Sequence, residues 1–506
     1  MTHFCRRLHL KLRNLIVIGL LISTIFAIPI LGVTSASDSI DTVFSKTSVK
    51  TLDGVPYVWQ ELNGYCAWAA TSILFQYAGV DLDLGGIFAA SSVGYSFAHI
   101  RYNDTFLMFP GVLYQQVEPT DFAADLYNLN FTLYISIDAE GVNDAVDYWE
   151  RYGISVSTLD TQVDAMNLLR DTIDSGYPLL ISVNPAWINI SDYEPFREDG
   201  LSGGAHALVI VGYDDSQQTV TFIDPGVGSF GDNYGYPEDG RGNYSTMSYS
   251  DLNFAWVDRY YISYVIKPKE TTDSTINVTE KLGPMIRDKL LGVGTTYSPD
   301  SPSAYLWHYG EDGFRKLSQD ISIAGLKDYL SVFDGAENEV ELKASLLAAI
   351  GIGLEVQTTL QGYSFKAANQ AITNLLDGYN SSAFISAASE AYPHFEALSD
   401  NSSLIYPSNL SQLTGYVATT FLDIAEHFNN SGDIDSTLSM YESQLDDISG
   451  HLLGIADAWL AAGNVLNTRW PTGIWFDYGI WIVLGIVVLA VIGVVTIVVI
   501  KRTPSR

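Results

Sequence analysis

The sequence has 506 residues, of which 47% are hydrophobic and 12% are aromatic. That length accommodates two or three domains, and the apolar content excludes wholesale disorder. With 58 acidic against 26 basic residues, the formal net charge is −32. A surface of this sign excludes nucleic-acid binding through a basic face, so we expect no nucleic-acid partner.

Residues 1–36 have the order of an export signal. A basic stretch (6–13) precedes the apolar run from Leu15 to Val33, and small residues follow around Ala36. This order predicts export with cleavage after Ala36. The length of the apolar run leaves open an uncleaved N-terminal anchor.

The other end of the chain carries a second apolar segment. No charged residue occurs from Ile480 to Ile500, a length sufficient to cross a bilayer core of about 30 Å. We predict a transmembrane helix over 479–500 and, because Lys501 and Arg502 follow it, a cytoplasmic tail over 501–506. The expected protein is a single-pass cell-membrane protein in which residues from about 37 to 475 lie outside the cell.

The region between the two apolar segments changes character along its length. Residues 50–268 contain β-branched and aromatic runs bounded by turn formers, with helical stretches at 66–78 and 162–175. This pattern predicts an α+β domain. A polar linker (269–280) precedes a segment (281–465) whose apolar residues recur at three- and four-residue spacing, which predicts a helical domain. The sequence leaves open whether that domain is a spacer, mediates self-association or restricts substrate access.

Cysteine use supplies the first functional hint. The chain has two cysteines, and Cys5 precedes the expected cleavage point, so Cys66 has no intrachain disulfide partner in the exported part. Asn63 and Gly64 form a turn before the predicted helix, which places Cys66 in its first turn, where unpaired N–H groups favour a thiolate. Gln60 lies six residues upstream and could donate to an oxyanion. The alternative is a buried, inert cysteine.

A thiol nucleophile also needs a base and a group that orients the base. The segment "HALVIVGYDDSQQTVTFIDPG" predicts a hairpin whose register places residue 225 opposite His206, one residue from Asp224. An aspartate beside a histidine holds its tautomer and supports its cation. The alternatives are a structural strand-end histidine and an aspartate that starts a turn. His99 is the competing base, without a hairpin acid nearby.

Four segments together resemble one family. "PYVWQELNGYCAWAATSILFQYAG", "GYPLLISV", "GGAHALVIVGYDD" and "VTFIDPG" are similar to the C39-like branch of the papain-like cysteine peptidases, over residues 53–268. The resemblance implies a papain-like α+β fold with Cys66 as nucleophile, His206 as general base and Asp224 as its orienter. It further implies that Gln60 and the Cys66 backbone N–H form the oxyanion hole.

Two features depart from that family. Ala67 and Trp68 follow the cysteine where the family often has glycine, which bears on how open the cleft is. The sequence also lacks a Gly-x-x-x-x-Gly-Lys-Ser/Thr motif, so a leader-processing exporter with an ATP-binding cassette is not expected.

The expected function is that of a cell-surface cysteine peptidase that cleaves peptide or protein substrates through a thioester acyl-enzyme. Two alternatives remain: acyl or amide transfer to an amine, and a catalytically silent surface protein that binds peptide or glycan. We expect no cofactor and no metal, because the sequence has neither His-Glu-x-x-His nor paired cysteines.

Overall fold

A computed structural model describes residues 48–102, 105–114, 116–139, 141–194, 205–270, 276–293, 305–376, 381–406 and 409–471. The described chain divides into two compact units. The sheet unit comprises the described residues within 48–83 and 116–270. The helical unit comprises those within 84–114 and 276–471.

The strands of the described residues are numbered in chain order. They are β1 (Val49–Thr51), β2 (Phe97–Tyr102), β3 (Thr105–Pro110), β4 (Leu129–Ser136), β5 (Ser155–Leu159), β6 (Leu179–Val183), β7 (His206–Asp214), β8 (Thr219–Ile223), β9 (Ser245–Ser248), β10 (Ser263–Pro268) and β11 (Tyr305–Tyr309).

The α-helices of the described residues are numbered in the same way. They are α1 (Cys66–Tyr77), α2 (Leu84–Ala90), α3 (Gly111–Tyr114), α4 (Val117–Leu126), α5 (Val142–Arg151), α6 (Gln162–Asp174), α7 (Tyr249–Val257), α8 (Val278–Leu291), α9 (Gly310–Asp320), α10 (Ile323–Leu330), α11 (Glu339–Leu375), α12 (Ser381–Ser389), α13 (Tyr392–Leu398), α14 (Ser402–Ile405), α15 (Tyr416–Ser431), α16 (Ile434–Met440) and α17 (Glu442–Arg469).

The sheet unit is a mixed α/β structure. Its described strands form one sheet in the order β5-β4-β10-β6-β7-β8-β9, with β1 added beside β7. The pairings are antiparallel except for β4 with β5. Helix α1 packs against β7, and the predicted helices at 66–78 and 162–175 correspond to α1 and α6.

Strand β7 is the centre of this sheet. Its first half pairs with β6, its second half with β1, and β8 lies along its other edge. Its sequence HALVIVGYD is a nearly continuous apolar run rather than an alternating one, as a strand covered on both faces requires. Burial of the run from Ala207 to Val211 therefore fixes the position of His206 at its start.

The helical unit is built around α11, a helix of 37 residues. Helices α2 and α15 pack along it. The unit also contains a three-stranded sheet, β11-β2-β3, which the sequence pattern did not indicate for this region. Two of those strands and α2 come from Leu84–Gln115, a segment inside the range predicted as the α+β domain.

The predicted export signal (1–36) and transmembrane helix (479–500) lie outside the described residues. None of the helices in the described part of the chain combines the length and the hydrophobicity needed to cross a bilayer. Both segments remain predictions from the sequence.

Burial of β7 makes a first prediction about stability. Ile210 is 0% exposed, whereas Ile137 is 46% exposed. We expect Ile210→Ala to lower the free energy of unfolding by about 2–5 kcal/mol, because it leaves a cavity beside the strand that carries His206. The matched Ile137→Ala variant should change it by less than about 0.5 kcal/mol. Chemical denaturation of both variants measures the difference, and equal losses would contradict the central position of β7.

Candidate active site

Cys66 is the first residue of α1 and is partly exposed. The chain turns at Asn63 and Gly64 immediately before it, and Gly64 has a φ of 110°, a conformation that favours glycine. Tyr65 is the N-cap and offers no side-chain hydrogen bond to the helix start. The first-turn N–H groups thus lie next to the thiol, as the sequence predicted. Trp68 is buried in the core, so its bulk does not extend into solvent beside Cys66.

His206 and Asp224 are brought together by the β7–β8 hairpin. Nε2 of His206 lies 2.7 Å from Oδ1 of Asp224, and both residues are buried. Extending the observed pair Val209–Ile223 places residue 226, not 225, opposite His206. The pairs nearer the turn, such as Asp214–Thr219, would place residue 227 there, and the bulge between Ile210 and Gly212 shifts the register back by one. The contact inferred from the hairpin is therefore present, although the register that produces it differs by one residue.

Gly226 shows how tightly this hairpin end is packed. A Cβ atom at this position would lie 2.6 Å from Cε1 of His206. Its backbone N–H donates to Oδ1 of Asp224 at 2.8 Å. A side chain at residue 226 would displace the imidazole, so the close approach requires glycine.

The pair favours a protonated imidazole. Burial by itself would lower the pKa of His206, but the Asp224 carboxylate and a hydrogen bond with the Cys66 side chain raise it to about 10. Because Nε2 faces Asp224, Nδ1 is the ring nitrogen left for the thiol. The imidazole thus lies between a carboxylate and a sulfur.

Gln60 is buried and tied to the segment that follows Asp224. Its backbone N–H donates to Pro225 O at 2.9 Å, and its Nε2 donates to Ser229 Oγ at 2.5 Å. Ser229 Oγ in turn donates to Gly226 O at 2.6 Å. One amide N–H of Gln60 is used in this way. The amide carbonyl Oε1 is buried without a partner among the described residues.

Sequence reasoning missed Tyr193 and Asp192, which lie in a 3₁₀ turn (Ser191–Tyr193). The Tyr193 hydroxyl lies 2.9 Å from Nε2 of His206 and within 3.0 Å of both Asp224 carboxylate oxygens. Asp192 accepts from Gly228 N at 2.8 Å and pairs with Arg241 at 3.2 Å. Nothing in "NISDYEPF" marks either residue, because their contacts are made with distant parts of the chain.

Aromatic side chains lie around Trp59, the residue before Gln60. Trp59 donates its Nε1–H to Val227 O at 3.0 Å, and its ring lies 5.9 Å from the rings of both Tyr234 and Tyr236. Tyr234 is 38% exposed and Tyr236 is 51% exposed. Exposed rings held by packing offer a surface for a bound chain.

His99, the competing base, belongs to the helical unit. Its Nε2 lies 2.8 Å from Oδ2 of Asp320, and both residues are buried. His99 is therefore engaged in a separate acid–base contact. Within the described residues, no group of three or more His, Cys, Asp or Glu side chains has an arrangement that could hold a metal ion.

Comparison with known proteins finds a family model that matches part of the chain. Residues 52–254 match the model of the "Peptidase_C39 like family". This match supports a C39-like peptidase domain over these residues. A search of curated proteins gave no match to the chain.

The C39-like match contains all four residues singled out from the sequence, namely Gln60, Cys66, His206 and Asp224. It also spans Leu84–Gln115, whose contacts are made within the helical unit. The C39-like segment of the sequence therefore supplies residues to both compact units.

The raised pKa of His206 predicts how stability varies with pH. The folded state holds a proton up to about pH 10 that the unfolded chain releases near 6.5. This stabilisation is complete below about pH 6.5 and is lost as the pH rises through about 10. Stability should therefore decrease as the pH rises from about 6.5 to 10. We expect Asp224→Asn to remove most of this decrease in the free energy of unfolding, because the carboxylate that holds the proton is gone.

Asp214→Asn is the matched control, since Asp214 lies at the other end of the same hairpin. The free energy of unfolding is measured by denaturant titration at several values between pH 6 and pH 11. If the Asp224 and Asp214 variants have the same pH dependence, the coupling of His206 to Asp224 is wrong.

Proposed function

We propose that the C39-like domain is a cysteine peptidase in which Cys66 is the nucleophile, His206 the acid–base and Asp224 its orienter. The observation that carries this proposal is the contact of one imidazole with both the Asp224 carboxylate and the Cys66 side chain. The position of Cys66 as the first residue of α1 supports the same role, because the N–H groups of a first helical turn attract a negatively charged group.

The chemistry follows from these positions. The Cys66 thiolate attacks the peptide carbonyl carbon, and the oxyanion that forms accepts from the Cys66 backbone N–H and the second Gln60 N–H. The His206 imidazolium gives its proton to the departing amine, so that the C–N bond breaks and a thioester remains. Neutral His206 then takes a proton from water, hydroxide adds to the thioester, and the C–S bond breaks to release the acid.

Two features support a peptide as the substrate. The partly exposed rings of Trp59, Tyr234 and Tyr236 offer an apolar surface next to Gln60. The buried Gln60 Oε1 is an acceptor that a substrate backbone N–H could use. The predicted export signal (1–36) and the predicted transmembrane helix (479–500) support presentation of this domain at the outer face of the cell membrane.

Covalent labelling tests the nucleophile. In a Cys5→Ser parent, Cys66 is the one remaining thiol. We expect a set of peptide vinyl sulfones to label this full-length parent at Cys66, and Cys66→Ala to reduce labelling to background. His206→Ala should slow labelling strongly, whereas His99→Ala should not, because His99 is paired with Asp320. Equal labelling of the parent and the His206 variant would overturn the proposal.

The oxyanion role of Gln60 makes a separate prediction. With a peptide substrate chosen from the labelling series, Gln60→Ala should lower kcat by about 100- to 1,000-fold. Gln76→Ala is the control, because Gln76 makes comparable side-chain hydrogen bonds within the same domain, to Ser72 and Leu82. A change in KM without loss of kcat would assign Gln60 to substrate binding instead.

A further inference from the structure

Tyr193 lies against the acid–base pair rather than in the surrounding core. Its hydroxyl is 2.9 Å from Oδ2 and 3.0 Å from Oδ1 of Asp224, and 2.9 Å from Nε2 of His206. The rings of Tyr193 and His206 have centroids 5.3 Å apart. A tyrosine in this position touches both partners of the hydrogen bond that orients the imidazole.

The hydrogen bonds at Asp224 assign the phenol proton. Oδ1 already accepts from Nε2 of His206 at 2.7 Å and from the Gly226 N–H at 2.8 Å. Oδ2 is the nearer carboxylate oxygen to the Tyr193 hydroxyl. The phenol therefore donates to Oδ2, so that each oxygen of a fully buried carboxylate has a donor.

Contacts of the neighbouring residue, Asp192, help to hold Tyr193 in place. Asp192 accepts a hydrogen bond from Gly228 N and pairs with Arg241. These contacts attach the turn that contains Tyr193 to the loop after Asp224. The ring of Tyr193 also packs 5.5 Å from that of Phe230 on the same loop. The hydroxyl is positioned by these contacts independently of the pair that it touches.

We propose that Tyr193 is a positioning residue of the C39-like site, whose phenol O–H holds the Asp224 carboxylate so that Oδ1 faces Nε2 of His206. This inference rests on the proposed function. Donation to Oδ2 also withdraws negative charge from the carboxylate, which would otherwise act fully on the imidazolium. Tyr193 thereby sets both the orientation and the strength of the Asp224–His206 contact.

The titratable groups that face Tyr193 are Asp224, His206, Cys66 and Asp192. Asp192 is neutralised by Arg241, so the charges that can respond to loss of the phenol are those of the catalytic residues. Removing the donor concentrates charge on Asp224 and stabilises the imidazolium. The basic limb of a rate–pH profile that reports deprotonation of His206 should therefore move to higher pH in Tyr193→Phe.

The test uses the full-length Cys5→Ser protein. The rate of Cys66 alkylation by iodoacetamide is measured against pH for the parent, for Tyr193→Phe and for Tyr264→Phe. Tyr264 is a matched control, since it is a buried tyrosine of β10 whose ring packs on Phe131. We expect the basic limb of the rate–pH profile to move to higher pH in Tyr193→Phe and to stay in place in Tyr264→Phe. Inactivation by a peptide vinyl sulfone, which requires a proton from His206, should slow by about ten-fold or more at unchanged probe affinity.

Unchanged profiles and inactivation rates in Tyr193→Phe would overturn the inference, as would a shift of the limb to lower pH. Should that variant fail to fold, 3-fluorotyrosine at residue 193 keeps the shape of the ring and strengthens the phenol as a donor. The limb should then move to lower pH, and an unmoved limb would again overturn the inference. A parent whose Cys66 reacts no faster than free cysteine at any pH would instead refute the proposed function.

Discussion

The hydrogen bond between His206 and Asp224 is the interaction on which the rest of the site depends. It joins the first residue of β7 to the residue just after β8, so its length is set by hairpin register. The bulge after Ile210 moves that register by one residue. Gly226 is consequently placed opposite the imidazole, where a side chain would not fit. A slip of β7 by one residue would move every side chain to the opposite face, and close packing on both faces opposes that exchange.

The residues from Asp224 to Ser229 connect the Asp224 carboxylate to the Gln60 side-chain amide through a series of hydrogen bonds. Gly226 donates its N–H to Asp224 and accepts from Ser229, which in turn accepts from Gln60. The Asp224 carboxylate and the Gln60 side-chain amide are therefore held by one turn. A displacement of this turn would move both together, which explains why it is fixed by backbone as well as side-chain hydrogen bonds.

The helical unit has its own buried polar contacts. His99 pairs with Asp320, and the hydroxyl of Tyr329 lies 3.2 Å from the same carboxylate. Glu355 in α11 is buried and accepts from the Ala418 N–H near the start of α15, and burial raises its pKa to about 7. These groups are accounted for within the unit as helix caps and ion pairs. A histidine–aspartate contact thus occurs in both units, and what distinguishes the one in the sheet unit is the cysteine beside it.

The amino-acid sequence by itself determined the local parts of this protein. Turn residues before Cys66, the apolar run after His206 and the Asp-Pro step at residue 224 predicted α1, the β7–β8 hairpin and its acid, because each depends on neighbours a few residues away. Tertiary structure alone decided which distant groups meet them. Tyr193 contacts Asp224 from a turn that shows no pattern in the sequence. Ser229 contacts Gln60 although the two residues are far apart in the sequence. Leu84–Gln115 likewise packs with the helical unit, since its strand β2 pairs with β11 near residue 305. Long-range packing of this kind leaves no periodic signal in the segments that it joins.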